Sequence, residues 1–222
     1  MLDMKGEPLA AVLVSDRSNF VAPVVLPATR YCIAKRTFDI FVSLLLLLPL
    51  GVFALALVVV NPFLNKGTLL FWQDRMGKDC KPFRAVKFRS MVAIPTMVRG
   101  PFDPLEKDRI TTLGRFLRKS RIDELPQIIN VLRGEMSLIG PRPDALAHAR
   151  IYLDEIPGYR ERHLVRPGIS GFAQVKVGYV DGLEGVRRKV SADIFYLSKA
   201  SFRFDLWIAW QTLVVVALRK GA

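Results

Sequence analysis

The stretch Ile40–Val60, IFVSLLLLLPLGVFALALVVV, decides the fold of this chain. Ser43 is its one polar side chain, and no charged residue occurs between Asp39 and Lys66. Runs of about 18 or more apolar residues are typical of membrane helices, whereas a helix on a soluble core usually keeps a polar face. The sequence therefore predicts that this stretch lies in a membrane.

Pro49 lies near the middle of the apolar stretch, and Gly51 follows it closely. A proline inside a helix removes a backbone hydrogen bond and costs about 3 kcal/mol or more. At about 1.5 Å per residue, each arm beside Pro49 would be roughly 15 Å long, about one leaflet deep. Basic residues flank both ends, as expected if both ends are cytoplasmic: Arg30, Lys35 and Arg36 before, and Lys66, Arg75 and Lys78 after. The pattern by itself leaves a spanning helix and a re-entrant hairpin open.

The composition of the 222-residue chain indicates an anionic partner, because its formal net charge is +13. Nucleic acid, an anionic membrane surface and a phosphorylated substrate all fit that charge. We expect no nucleic-acid partner, since the chain carries the apolar stretch and no RRM, helix-turn-helix or zinc-finger pattern. Cys32 and Cys80 form no CxxC pair, so the sequence predicts neither a zinc site nor a disulfide framework.

The length fits one domain of ordinary size with two attached segments. We interpret residues 1–30 as an N-terminal extension, residues 31–65 as the membrane helix and residues 66–222 as the globular domain. Within that domain the patterns predict a β-hairpin and several helices: strands at Thr68–Gln73 and Phe83–Met91, and helices at Ile110–Lys119, 144–156 and about 183–200. The predicted fold class is α+β and mostly helical.

The C-terminal stretch Leu206–Leu218 is almost wholly apolar but too short to span a bilayer. It carries Trp207 and Trp210 and has basic flanks, which favours an amphipathic helix lying at the membrane interface. A plain core helix fits the same pattern, so both interpretations stay open.

Asp123 and Glu124 are the strongest candidates for chemistry. They start a predicted helix, with Ser120 and Asp123 as a variant capping box. Neighbouring helical side chains point about 100° apart, so one carboxylate can face a phosphorus while the other binds a metal. Leu125, Ile128, Ile129 and Leu132 then form the predicted core-facing stripe. Acidic residues in a first helical turn are usually ordinary caps, so the pair is informative only together with its surroundings.

The surroundings of the acidic pair are basic. Arg142 lies in a Pro-Arg-Pro turn and Arg166 precedes Pro167, and arginines on such stiff turns are suited to bidentate phosphate contacts. Lys87 and Arg89 are two residues apart in a predicted strand and therefore share a face. Each of these cations alone fits a solvated surface charge. A Mg²⁺ site built from a carboxylate and substrate phosphates is compatible with the set.

Several motifs in this order resemble the monotopic phosphoglycosyl transferases, also called bacterial sugar transferases. The resemblance covers about Lys35 to Leu218 and is carried by long motifs at consistent spacing. These motifs are Phe71–Gly77 (FWQDRMG), Lys87–Met91 (KFRSM), Leu117–Gln127 (LRKSRIDELPQ), Asn130–Pro143 (NVLRGEMSLIGPRP) and Val165–Gly171 (VRPGISG).

The resemblance implies a reaction and a location. It implies transfer of a sugar-1-phosphate from a UDP-sugar to undecaprenyl phosphate, with release of UMP, at the cytoplasmic face of a bacterial inner membrane. It implies that Asp123 is the nucleophile that holds a covalent phosphosugar, that Glu124 binds Mg²⁺ and that the apolar helix is re-entrant and broken at Pro49.

Five further residues complete the candidate site. Lys87, Arg89, Arg142, Arg166 and Gln174 are expected to bind substrate. The expected partners are the UDP-sugar, undecaprenyl phosphate and membrane lipids, and a homodimer is left open. The alternative that the residues leave open is a non-catalytic membrane assembly subunit of a polysaccharide export system.

Overall fold

The computed structural model describes residues 28–92, 100–104, 106–178 and 181–217. Residues 1–27 of the predicted N-terminal extension lie outside the described residues. The helices are α1 (Thr29–Leu64), α2 (Thr112–Lys119), α3 (Ile128–Leu132), α4 (Leu146–Glu155), α5 (Phe172–Lys176), α6 (Gly182–Lys199) and α7 (Phe202–Ala217). The strands are β1 (Leu70–Met76), β2 (Pro82–Phe88), β3 (Ser137–Ile139) and β4 (Gly168–Ser170). The fold is mostly helical with small sheets, as predicted.

The apolar stretch forms part of α1, which is long and apolar enough to cross a membrane. Its side chains are largely exposed, at 77 % for Leu48 and 70 % for Leu55, whereas a helix in a soluble core would bury them. The helix continues through Pro49. The predicted break at Pro49 is therefore not confirmed, because an apolar helix can tolerate a proline without ending. The re-entrant hairpin stays a prediction.

Both ends of α1 contact the globular domain. Near its start, the Lys35 ammonium lies 2.7 Å from a carboxylate oxygen of Asp205 on α7. Near its end, the Asn61 side-chain amide donates to the Gly67 carbonyl at 2.8 Å, and Leu57 packs in a cluster with Phe88. The helix is thus fixed to the domain at two separated places.

The predicted β-hairpin is confirmed. Strands β1 and β2 pair antiparallel from Leu70 opposite Phe88 to Met76 opposite Pro82. Strand β2 ends at Phe88, earlier than predicted, and the Arg89 N–H donates to the Leu69 carbonyl beyond it. The inner part of β2 is buried and fixes the position of Lys87 at its end.

The predicted capping box at Ser120 is wrong. The Ser120 hydroxyl donates back to the Phe116 carbonyl at 2.9 Å, and Arg121 adopts a left-handed conformation with φ of 58°. A 3₁₀ turn, Ile122–Gln127, follows and leads into α3. This tight turn contains Pro126, which cannot donate a backbone hydrogen bond. The turn places Asp123 and Glu124 side by side in the interior, not on an exposed helix start.

The predicted apolar stripe is only partly confirmed. Ile128 is buried, but Leu125, Ile129 and Leu132 are only half-buried. The fully buried side of this segment includes polar residues, among them Gln127 and Asn130. A simple apolar count missed Asn130, which can be buried because its side chain accepts from Val86 N–H and donates to the Arg84 carbonyl.

Strands β3 and β4 form a short parallel pair, with Ser137 opposite Gly168 and Ile139 opposite Ser170. The backbones approach so closely that a Cβ on Gly168 would lie 2.1 Å from the Gly140 nitrogen. Glycine is required there because any side chain would overlap the facing backbone. The pair holds the Pro-Arg-Pro turn at the edge of the domain core.

The C-terminal helix α7 packs one face on the core, and its location at the membrane interface stays a prediction. Phe204 and Ile208 are buried in a core cluster with Phe172 and Tyr196. The opposite side exposes three large apolar residues: Leu206, Trp210 and Leu213. The helix therefore packs one face against the core and leaves apolar residues exposed on the other.

Candidate active site

A cleft of about 490 Å³ lies between the end of β2, the Pro-Arg-Pro turn and α6. Seven cationic side chains from distant parts of the chain line it: Arg75, Lys87, Arg89, Arg109, Arg118, Arg142 and Lys189. Such a concentration of positive charge in a partly enclosed space favours a phosphorylated ligand.

Asp123 lies next to this wall and is only 6 % exposed. Its Oδ1 atom is buried and has no hydrogen-bond partner. Burial and the neighbouring Glu124 raise the pKa of Asp123 to about 6, although Lys87 and Arg118 oppose that shift. A carboxylate with one unused oxygen next to a cationic cleft is a candidate nucleophile.

Glu124 has the opposite environment. Arg142 binds both of its oxygens, through Nη2 on Oε1 and through Nη1 at 3.2 Å from Oε2. Arg121 adds a further contact at 3.3 Å. Burial alone would raise the pKa of Glu124, but Arg142 and Arg121 outweigh burial and hold it well below its usual range. Glu124 is therefore ionised at neutral pH.

The backbone of Arg142 is fixed from below by Arg162, whose side chain is fully buried. One Arg162 Nη donates to the Arg142 carbonyl at 2.7 Å, and the other lies 2.5 Å from Asp144 Oδ2. Asp193 and Lys189 on α6 complete the network, at 2.7 Å from Arg162 and 2.5 Å from Asp144. Sequence reasoning missed this network, because a lone Arg or Asp in a helical pattern gives no signal of burial.

Lys87 and Arg75 lie on the same face of the hairpin and both line the cleft. Burial, together with the nearby charges of Arg75 and Arg142, lowers the pKa of Lys87 to about 7. One Arg75 Nη donates to the Pro143 carbonyl at 2.6 Å, which joins the hairpin to the Pro-Arg-Pro turn. Arg75 was not singled out as a site residue, although it lies in the conspicuous Phe71–Gly77 motif.

The structure places the other predicted binding residues differently. Arg89 lines the cleft, but its Nε donates to the Thr68 carbonyl at 2.6 Å and one Nη binds the Asn65 carbonyl. It therefore also fastens the loop after α1. Gln174 lines the cleft with a buried Oε1 that has no partner. Arg166 is exposed and does not line the cleft; its Nε donates to the Gly134 carbonyl at 2.8 Å.

The acidic pair fits a hard divalent cation only with help from a substrate. Within the described ranges, no group of three or more His, Cys, Asp or Glu side chains could hold a metal. Mg²⁺ commonly takes one or two carboxylates and completes its shell with phosphates and water. Asp123 offers an unused oxygen, whereas the oxygens of Glu124 are bound by guanidinium groups. The residues present therefore fit Mg²⁺ bound together with a phosphorylated ligand.

Comparison with known proteins identifies the family of this chain. The family described as "Bacterial sugar transferase" matches residues 30–219. The exopolysaccharide production protein PSS of Rhizobium leguminosarum bv. phaseoli is 39 % identical over 195 residues, which cover 85 % of this chain and 97 % of that protein. Relatives of this similarity therefore include proteins of nearly the same length.

Longer relatives match over part of their length. The UDP-N-acetylgalactosamine-undecaprenyl-phosphate N-acetylgalactosaminephosphotransferase of Aeromonas hydrophila is 38 % identical over 89 % of this chain and 47 % of that protein. The UDP-glucose:undecaprenyl-phosphate glucose-1-phosphate transferase of Escherichia coli is 38 % identical over 85 % of this chain and 41 % of that protein. The chain thus spans about half the length, or less, of these two relatives.

The family match covers α1, the hairpin, the acidic pair and the Pro-Arg-Pro turn in one continuous region. The hairpin and the Pro-Arg-Pro turn line the cleft, and the acidic pair lies beside it. The chain therefore belongs to the bacterial sugar transferase family.

Proposed function

We propose that this chain transfers a sugar-1-phosphate from a UDP-sugar to undecaprenyl phosphate, releases UMP and so begins polysaccharide or glycoconjugate synthesis. The observation that carries the proposal is the buried Asp123 carboxylate, with one unused oxygen, beside a cleft wall of cations. The names of the Aeromonas and Escherichia relatives describe this type of transfer. A non-catalytic assembly subunit would have no need of that carboxylate.

In the first step an Asp123 oxygen attacks the phosphorus that bears the sugar. The bond from that phosphorus to the bridging oxygen breaks, and UMP leaves with the electron pair. The aspartate then carries the phosphosugar as an acyl phosphate. Covalent catalysis of this kind divides one difficult transfer into two easier ones. No proton is required, because a carboxylate attacks and a phosphate leaves.

In the second step a phosphate oxygen of undecaprenyl phosphate attacks the same phosphorus. The bond to Asp123 breaks, the carboxylate is regenerated and the lipid carries a diphosphate sugar. Arg142, Lys87 and Gln174 line the cleft and would bind the phosphates and the donor. Positive groups held in place before the reaction stabilise the charge that develops on the phosphoryl oxygens. Mg²⁺ held by Glu124 would supply further Lewis-acid stabilisation.

The same proposal places the domain at the cytoplasmic face of the inner membrane, with α1 entering and leaving through one leaflet. A straight helix with the 36 residues of α1 would be about 54 Å long, well beyond the roughly 30 Å of a bilayer core. Both ends of α1 contact the globular domain, which supports the location of both ends on one side of the membrane.

Cysteine labelling in spheroplasts tests this topology. Cys32 is exposed near the start of α1, and Lys66→Cys in a Cys32→Ser background reports the other end. We expect a membrane-impermeant maleimide to label neither position until the cells are lysed. Labelling of one end in intact spheroplasts would instead establish a spanning helix.

The reaction is tested by UMP release from the detergent-solubilised full chain with a panel of UDP-sugars. Undecaprenyl phosphate and Mg²⁺ are each supplied or omitted. We expect release that needs the lipid and falls at least about a thousandfold in Asp123→Asn, because the nucleophile is lost. Asp154→Asn, which changes an exposed acid on α4, is the matched control and should retain wild-type release.

Two results would contradict the proposal. Release that persists in Asp123→Asn would exclude the covalent aspartate. If folded protein releases no UMP with any UDP-sugar of the panel, the non-catalytic assembly subunit is favoured. Trapping of a radiolabelled sugar phosphate on wild-type protein, and not on Asp123→Asn, would identify the covalent intermediate directly.

A further inference from the structure

Arg142 occupies the position on Glu124 that a metal ion would need. Its guanidinium contacts both carboxylate oxygens, and Arg121 contacts one of them as well. The Glu124 side chain is only 8 % exposed, so little of it remains open to a cation from solvent. A buried, bidentate Arg–carboxylate pair is among the stronger polar contacts in proteins.

Arg142 also faces the cleft in which a donor would bind. Its side chain is 24 % exposed, and it lines the cleft with Lys87 and Arg118. A diphosphate in that cleft would offer the guanidinium a doubly charged partner with the same bidentate geometry. Arg142 therefore has two competing anionic partners, one resident and one supplied by the substrate.

Movement of Arg142 would be confined to its side chain. The backbone is held by Pro141 and Pro143, whose φ angles are fixed, and by Arg162 at 2.7 Å from the Arg142 carbonyl. The side chain contacts one further oxygen, the Ile169 carbonyl, at 3.3 Å. A rotation of the side chain can thus exchange partners without displacement of the turn.

We propose that Arg142 is a gate for the metal site. Without donor it closes Glu124; a bound nucleotide diphosphate draws the guanidinium away and opens the carboxylate to the divalent cation. Metal and nucleotide therefore bind with positive coupling, and the coupling is carried by one side chain. This inference rests on the proposed function, because it takes Glu124 as the metal ligand and a nucleotide diphosphate as the ligand of the cleft.

The test measures Mn²⁺ binding to the full chain in detergent by the EPR signal of free Mn²⁺, with and without UDP. In wild-type protein we expect UDP to tighten Mn²⁺ binding by about tenfold or more, and Mn²⁺ to tighten UDP binding by the same factor, since coupling is reciprocal. UDP phosphates can themselves ligate Mn²⁺, so this result alone does not identify the gate.

The deciding variant is Arg142→Met without nucleotide. Removal of the guanidinium should tighten Mn²⁺ binding by about tenfold and shrink the effect of UDP. Arg118→Met is the matched control, because it removes a charge from the same cleft without freeing Glu124; its Nη1 lies 3.6 Å from the Met91 sulfur. The control should change nucleotide-free Mn²⁺ binding by less than about threefold.

Each outcome decides the proposal. If Mn²⁺ binding tightens equally in Arg142→Met and Arg118→Met, the cause is a general charge effect and the proposal is wrong. If Mn²⁺ binding does not tighten in Arg142→Met, the proposal is also wrong. In the double variant Glu124→Gln/Arg142→Met, the gain in Mn²⁺ affinity should vanish. The readout does not depend on turnover. Loss of UMP release in Asp123→Asn together with unchanged Mn²⁺ binding in Arg142→Met would leave the proposed function intact and remove only the gate.

Discussion

Arg142 and Arg166 occupy similar turns in the sequence and very different positions in the fold. Each is followed directly by a proline, and the two turns adjoin the paired strands β3 and β4. Arg142 nevertheless lies in the cleft on Glu124, whereas Arg166 is exposed and donates to the Gly134 carbonyl. A stiff turn therefore fixes an arginine but does not decide what it faces.

The difference arises from what surrounds each turn. The Arg142 turn is supported by Arg162 below and is joined to the hairpin by Arg75. Burial would raise the pKa of Glu124, and the Arg142 guanidinium is the charge that lowers this pKa most. The Arg166 side chain is exposed, so solvent screens its charge. Tertiary contacts thus separate a residue of the site from a surface residue with nearly the same local sequence.

Among the variants that test this comparison, Arg142→Met is expected to have the largest effect on kcat. Loss of the guanidinium removes positive charge from the transferring phosphoryl group, and kcat should fall by about 10²–10³-fold. Steady-state UMP release over a range of Mg²⁺ and donor concentrations measures the loss. A change of less than threefold would show that Arg142 only fills space beside Glu124.

A second prediction concerns the pH dependence of kcat/KM and distinguishes the role of Lys87 from that of the arginines. The Asp123 pKa is raised to about 6, so its carboxylate is protonated and inactive below that pH. The Lys87 pKa is lowered to about 7, so its charge is lost above that pH. The kcat/KM profile should therefore be highest between about pH 6 and 7 and fall on either side by about tenfold per pH unit.

Lys87→Arg sharpens that prediction. Arginine keeps its charge at every pH of the assay, so the alkaline limb should move upward or disappear while the acidic limb stays. The comparison of both profiles in one buffer series is the measurement. An alkaline limb that is unchanged in Lys87→Arg would assign it to another group.

The smallest effect is expected from Arg166→Met. Because the side chain is exposed and lies outside the cleft, we expect kcat and KM to stay within about threefold of wild type. The assay is the same UMP release measured beside Arg142→Met. A loss as large as that of Arg142→Met would mean that Arg166 reaches a substrate that extends beyond the cleft.

Much of the architecture could be predicted from local patterns. The apolar helix, the hairpin and the helices α4 and α6 follow from periodicity and turn residues, which act over a few neighbouring positions. The acidic pair was identified because several motifs occur together in order. The capping box failed because Pro126 and the left-handed Arg121 favour a 3₁₀ turn over a regular helix start.

The sequence by itself determined that a long apolar helix precedes a basic, mostly helical domain, and which acids and arginines carry the family's motifs. These properties depend on composition and short-range spacing. Only the tertiary structure decided that Asp123 keeps an unused oxygen, that Arg142 closes Glu124 and that Arg162, Asp144 and Asp193 form a buried network beneath them. Burial and charge pairing are set by residues far apart in the chain, because desolvation and Coulomb interactions depend on position in space and not on sequence separation.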